Sequence, residues 1–251
     1  MELTMSNWVD ATVKKVTWWS DTLFSLVVNA SVEPFKAGQF TKLSIMEGDK
    51  RIARAYSYVN GPNNPDLEFY LINVESGLLS PRLAQLKPGD TVLIEQRATG
   101  FFTLDEIPPS EQLWMLSTGT AIGPFLSILQ QQEVWQKYTQ INLVHGVRFN
   151  ADLSYQNLIH TLINAHPTQL NYIPVVSREE PQQGLKGRIT TAIQNGELFS
   201  KASKTPSPSN SQFMICGNPQ MVKDTTQLLL DKNFKRNRRR DPGHITVEQY
   251  W

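Results

Sequence analysis

The sequence predicts two domains: an N-terminal antiparallel β-barrel, then an α/β domain on a doubly wound parallel sheet. Three observations carry this. Residues 8–97 hold short runs rich in Val, Ile, Thr, Phe and Tyr, cut by Gly, Asn and Pro turns. After Leu104, apolar runs alternate with helical patterns, the mark of βαβ units. The chain has 251 residues, enough for two cores at about 100–150 residues each.

The barrel strands are expected at Trp8–Thr17, Leu23–Asn29, Gln39–Ile45, Ala53–Val59, Leu67–Val74 and Thr91–Arg97. Between them lie the turns Ala37-Gly38, Asn60-Gly61-Pro62, Asn63-Asn64-Pro65 and Pro88-Gly89-Asp90. Closing these strands into a barrel would remove the exposed edges. One helix, Leu79–Leu86, interrupts them. Pro108-Pro109-Ser110 reads as a linker, which divides the chain at 1–106 and 107–251. Beyond it, strands are expected at Leu113–Ser117, Ile141–His145, Leu170–Val176, Phe213–Cys216 and Ile245–Glu248. Helices alternate with them at Ile122–Gln132, Leu153–Ala165, Arg188–Asn195 and Pro219–Lys232, and the Ser/Pro-rich Ser200–Ser211 reads as a surface loop.

Composition narrows the function. The single cysteine, Cys216, rules out a disulfide framework, a four-cysteine zinc site or an iron–sulfur cluster within the chain, and no metal site is expected. A net charge of +1 gives no global attraction to nucleic acid or membrane. Met1–Thr12 lacks the pattern of a signal peptide and no apolar stretch is long enough to span a bilayer, so a cytoplasmic monomer is expected.

Four segments carry chemistry. In Arg54-Ala55-Tyr56-Ser57, strand alternation puts Arg54 and Tyr56 on one face. The guanidinium fork suits a diphosphate, the phenol ring suits stacking, and Ser57 can hydrogen-bond the edge of a bound ring. The same residues would also serve an ordinary barrel strand. Ser76-Gly77-Leu78-Leu79-Ser80-Pro81 opens a helix, either as an anion site or with Ser80 as a simple cap. Thr118-Gly119-Thr120-Ala121-Ile122-Gly123-Pro124 joins a strand to a helix with glycines that admit a pyrophosphate; it falls short of the full Rossmann fingerprint, and a tight turn would explain it too. Cys216-Gly217-Asn218-Pro219 repeats that layout, although Cys216 alone would pass for a small buried hydrophobe.

With Ala37-Gly38-Gln39-Phe40 and the terminal Tyr250-Trp251, these segments fall in the order and spacing of one family. The chain resembles the bacterial, FAD-containing ferredoxin–NADP reductases over nearly its whole length. The resemblance implies an N-terminal FAD domain and a C-terminal NADP domain. It implies FAD contacts at Arg54, Ala55, Tyr56, Ser57, Tyr70, Leu78, Leu79, Ser80, Thr120, Tyr250 and Trp251, with Ser57 near flavin N5 and Tyr70 as a second aromatic beside the flavin. It implies NADP contacts at Gly119, Val147, Arg148, Ser177, Arg178, Arg188, Cys216, Gly217, Asn218 and Asp224. Ser57, Cys216 and Glu248 are its candidate catalytic residues.

Cationic groups at the nucleotide's 2′ end decide between NADPH and NADH. Ser177-Arg178 and Gly187-Arg188 favour NADPH, against the adjoining Glu179-Glu180. The basic run Lys235-Arg236-Asn237-Arg238-Arg239-Arg240 is either a solvated face or a steering patch for an acidic ferredoxin or flavodoxin. The expected activity is electron transfer between NADPH and such a carrier. The alternatives are a flavin reductase or oxygenase-type reductase, and a non-catalytic nucleotide sensor.

Overall fold

The structure is a computed structural model and describes residues 7–250. Its N-terminal part is a six-stranded antiparallel sheet of β1 (Trp8–Trp18), β2 (Leu23–Asn29), β3 (Phe40–Glu47), β4 (Lys50–Ser57), β5 (Asp66–Ile72) and β6 (Thr91–Glu95), in the order β4-β3-β6-β1-β2-β5. Alternate residues face inward, so Leu26, Val28, Leu43, Leu67, Phe69 and Ile94 form one core. The closed barrel expected from the sequence is corrected here. Among the described residues the two edge strands share no ladder; just past β4 the isolated bridge Tyr58–Phe69 and the Val59 N–H to the Glu68 carbonyl (2.8 Å) link that side to β5. Tyr58 fills that seam with rings, stacking on Phe35 at 3.9 Å.

The interrupting helix is also shorter than expected. α1 covers Ser80–Leu83, a single turn. Ser80 does not cap it: its hydroxyl accepts the Val74 N–H at 3.1 Å, folding the preceding loop back on itself.

The second part holds β7 (Gln112–Thr118), β8 (Gln140–Val147), β9 (Leu170–Val176), β10 (Leu185–Lys186), β11 (Ser211–Gly217) and β12 (Ile245–Gln249), all parallel, in the order β10-β9-β8-β7-β11-β12. One face is covered by α2 (Gly123–Leu129), α3 (Gln132–Lys137) and α4 (Gln156–Ala165), the other by α5 (Ile189–Gln194), α6 (Glu197–Lys201) and α7 (Pro219–Leu230). Strand β7 shows why the sheet is doubly wound: Leu113 and Met115 enter the first apolar layer, Trp114 and Leu116 the second. The helix expected at Ile122–Gln132 breaks at Gln131, whose backbone is extended. Gln130 instead sends its amide across to the Val59 carbonyl of the other sheet, at 2.8 Å. Helix α6 takes the start of the expected Ser200–Ser211 loop, leaving 202–210 irregular.

The two sheets share one core. Leu23, Val59, Tyr70 and Phe102 pack in the same cluster as Phe125, Ile128 and Met214. Among the described residues, no helix is long and apolar enough to cross a membrane.

Candidate active site at the junction of the two sheets

Strand order reverses at β7, between β8 and β11, which makes the carboxyl ends of β7 and β11 the natural ligand crevice. Gly119 follows β7 with φ 56°, and a Cβ built on it would meet nothing within 4 Å. That open backbone leaves room for a ligand to approach. Its carbonyl accepts a hydrogen bond from His145 Nε2 at 3.0 Å. Burial lowers the His145 imidazole to about 4, so it stays neutral and holds the turn. At the end of β11, Gly217 has φ 140°, and a Cβ there would stand 2.2 Å from Thr118 Oγ1. Only glycine lets the two strand ends pass so closely. The Asn218 N–H donates to that same Thr118 Oγ1 at 3.0 Å, and its side chain caps α7 by accepting from Gln220 and Met221 N–H.

The three candidate catalytic residues converge here. Cys216 and Glu248 are direct partners across β11 and β12, and the Tyr250 N–H donates to the Gly217 carbonyl at 3.1 Å. Ser57 ends β4 of the other sheet, and its hydroxyl interacts with both Glu248 and Tyr250. Burial lifts the Glu248 carboxyl to about 7, with Ser57 opposing. One of its oxygens, Oε1, is buried without a partner. Cys216 is fully buried; burial, then the Glu248 carboxylate, push its thiol well up, while Tyr250 opposes. It is therefore a neutral thiol rather than a nucleophile. Trp251 lies outside the described residues.

Two residues that sequence reasoning missed stand beside this cluster. Gly100 has φ 109° and comes within 3.7 Å of a Glu248 oxygen when given a Cβ. Phe101 follows it with 68% of its surface exposed. A glycine before a Phe pair in a loop was the available signal. The basic run packs here as well: Arg239 lies over the Phe101 ring at 5.4 Å, and Asn237 donates to the Glu106 carbonyl at 2.6 Å.

On β4, Arg54 and Ala55 are exposed and Tyr56 is half-buried. Burial pushes the Tyr56 phenol up to about 12, and the neighbouring Arg54 opposes it. Leu78 is 58% exposed, while Leu79 and Ser80 are buried and Thr120 sits under the β7 turn. Tyr70 is buried in the shared core, and its hydroxyl bonds Ser154 Oγ at 2.6 Å.

The arginines gather at the ends of β8 and β9. Val147 ends β8 and Arg148 follows it, and the Val147 carbonyl accepts both the N–H and the hydroxyl of Ser177. The Arg178 N–H donates to the Arg148 carbonyl at 2.9 Å, and its guanidinium lies 6.0 Å from the Phe149 ring centroid. Gly187 N–H bonds the Val176 carbonyl, which brings exposed Arg188 to the same strand end. Neither neighbouring carboxylate is idle: Glu179 accepts from Asn150 Nδ2 at 2.7 Å, and Glu180 pairs with Lys186. Asp224 is exposed on α7 and accepts from Gln220.

An antiparallel barrel-like sheet joined to a doubly wound sheet, with polar groups of both meeting at the seam, defines the two-domain class of flavin- and nicotinamide-dependent reductases. Residues 115–227 match the oxidoreductase NAD-binding domain. The chain is 52% identical to the flavodoxin/ferredoxin–NADP reductase of Escherichia coli (strain K12), over 98% of this chain and 100% of that one. It belongs to the flavodoxin/ferredoxin–NADP reductase family. It is also 34% identical to the ferredoxin–NADP reductase of Pseudomonas aeruginosa over 98% of both chains. Its fold is similar to a ferredoxin NADP+ reductase from Neisseria gonorrhoeae with bound FAD and NADP (TM-score 0.93, 34% identity, 98% of this chain and 100% of that one).

Proposed function

We propose that residues 1–106 bind FAD, residues 107–251 bind NADPH, and the junction passes electrons between NADPH and an acidic one-electron carrier, ferredoxin or flavodoxin. The observation that carries this reading is the meeting of Ser57 from one sheet with Cys216, Glu248 and Tyr250 from the other. The residues fit a polar tricyclic ring. A buried carboxylate oxygen lacks a partner, a serine hydroxyl stands beside it, and Phe101, next to Gly100 at this cluster, is exposed.

When bound, FAD supplies the conversion of a two-electron hydride into single electrons. The chain's own residues do the rest. Arg54 holds the diphosphate, Ala55 and Tyr56 line the ring, and Ser57 orients the N5 edge. Leu78, Leu79 and Ser80 supply backbone at the phosphates, and Thr120 reaches over from the second sheet. Tyr70 backs the flavin as a second aromatic from the core side. Gly119, Gly217 and Asn218 receive the nicotinamide half of NADPH, with Cys216 beneath it and Asp224 near its rim. Val147, Arg148, Ser177, Arg178 and Arg188 take the 2′-phosphate end. Glu248, with its carboxyl near 7, holds a proton at the ring. Tyr250 and Trp251 cover the site. The protein works as a cytoplasmic monomer.

The purified protein should be yellow and should reduce ferricyanide with NADPH. A colourless protein that FAD does not reconstitute overturns the reading. A second expected result concerns the basic run. Replacing Lys235, Arg236, Arg238, Arg239 and Arg240 with Gln should slow ferredoxin or flavodoxin reduction by about tenfold or more at low salt, because steering is lost. Ferricyanide reduction should hold. Unchanged rates for both acceptors would move the docking face elsewhere.

A further inference from the structure

Away from the reacting groups, the two sheets are tied by a polar and aromatic contact centred on Tyr155. This residue opens α4 with φ 62°, a left-handed conformation rarely adopted by a bulky side chain. Its hydroxyl donates to Glu68 Oε1 on β5 at 2.8 Å, next to buried Ser25 of β2. Its ring lies 4.6 Å from Trp19 and edge-on to Tyr70 at 5.1 Å. One residue earlier, Ser154 bonds the Tyr70 hydroxyl at 2.6 Å. Burial pushes the Glu68 carboxyl up, and the Tyr155 hydroxyl, well raised itself, opposes that shift. Strain at Tyr155 persists only because these partners over-determine it.

The segment this contact anchors is short and carries the arginine end of the nucleotide site. It runs from Arg148, just after β8, to Tyr155. Along it, Phe149 lies under Arg178, and Asn150 holds both the loop after β9, through Glu179, and the Gln182 N–H. One end therefore grips the residues assigned to the 2′-phosphate, and the other grips strand β5 of the flavin sheet. We infer that Tyr155 and Glu68, supported by Ser154 and Tyr70, are positioning residues that fix the 2′-phosphate site relative to the flavin sheet and so set how NADPH presents its nicotinamide. This rests on the assignment of FAD and NADPH above.

A positioning role separates binding from chemistry. The arginines are untouched when the tie is cut, so the nucleotide still docks by its 2′-phosphate. Its far end then spends less time in the reactive geometry, and small misplacements are costly to rate. Anaerobic single-turnover reduction of the FAD-loaded protein by NADPH tests this, with calorimetric titration of 2′,5′-ADP as the binding readout. Tyr155→Phe and Glu68→Leu should each lower the limiting reduction rate about tenfold. Affinity for 2′,5′-ADP should stay within about twofold, and flavin absorbance should be retained. Glu68→Gln keeps an acceptor for the tyrosine hydroxyl and should restore the rate. Tyr70→Phe, which cuts only the Ser154 bond, gives a milder second variant should the others fold poorly, and it should lower the rate in the same direction. Wild-type rates in Tyr155→Phe, Glu68→Leu and Tyr70→Phe, or a loss confined to 2′,5′-ADP affinity, overturn the inference. A wild-type protein that neither holds FAD nor accepts hydride from NADPH instead overturns the assignment beneath it.

Discussion

An Arg178→Ala, Arg188→Ala double variant should lose roughly 100-fold or more in kcat/KM for NADPH, and little for NADH. Each arginine supplies a charge-assisted hydrogen bond worth about 1.5–3 kcal/mol to a dianionic group. About 1.4 kcal/mol corresponds to tenfold, so two such bonds reach that range even after solvent screening. The geometry supports cooperation. Arg178 is pinned by its own N–H to the Arg148 carbonyl, and Gly187 ties the start of α5 to the same strand end. Glu179 and Glu180, the residues that would argue for a ribose diol, are taken up by Asn150 and Lys186. Equal losses with both nucleotides would remove the 2′-phosphate assignment.

Replacing Glu248 with Gln should change the pH dependence of stability. The carboxyl is raised from 4.5 to about 7 by burial. A raised acid binds its proton more tightly when folded, so stability is highest below about pH 4.5 and falls as pH rises toward 7. The shift corresponds to about 3 kcal/mol. In flavin-free protein, Glu248→Gln should be spared that loss, so the stability gap between variant and wild type should widen from pH 5 to pH 8. Urea unfolding at the two pH values measures it. Parallel profiles would mean that the carboxylate is hydrated in solution. The Gln amide would also keep a neutral group at the unpartnered Oε1 position.

The strands were legible because their sequences alternate and their turns carry Gly, Asn and Pro. What escaped was decided by distant partners. Nothing local marks Gln131 as a helix break; Gln130 is drawn to the Val59 carbonyl of the other sheet. Ser80 has the residue type of a cap, yet the Val74 amide claims its hydroxyl. Barrel closure follows from edge avoidance in principle, but Phe35 and Tyr58 cover the seam with packed rings instead of a ladder. In the site, each motif was visible alone, and only the family resemblance grouped Ser57 with Cys216 and Glu248. The burial of Tyr70 against Ser154 and Tyr155 was equally invisible, because those residues lie 84 or more positions away. Glu68 and Tyr155 sit in no motif at all.

The shared Thr118 hydroxyl has a mechanical consequence. It ends strand β7, and it receives the amide of Asn218 at the head of α7. Two loops from distant stretches of chain are thereby riveted at one atom, and the missing Cβ of Gly217 leaves no slack between them. Moving either lip of the crevice must therefore break this bond or carry the other lip with it.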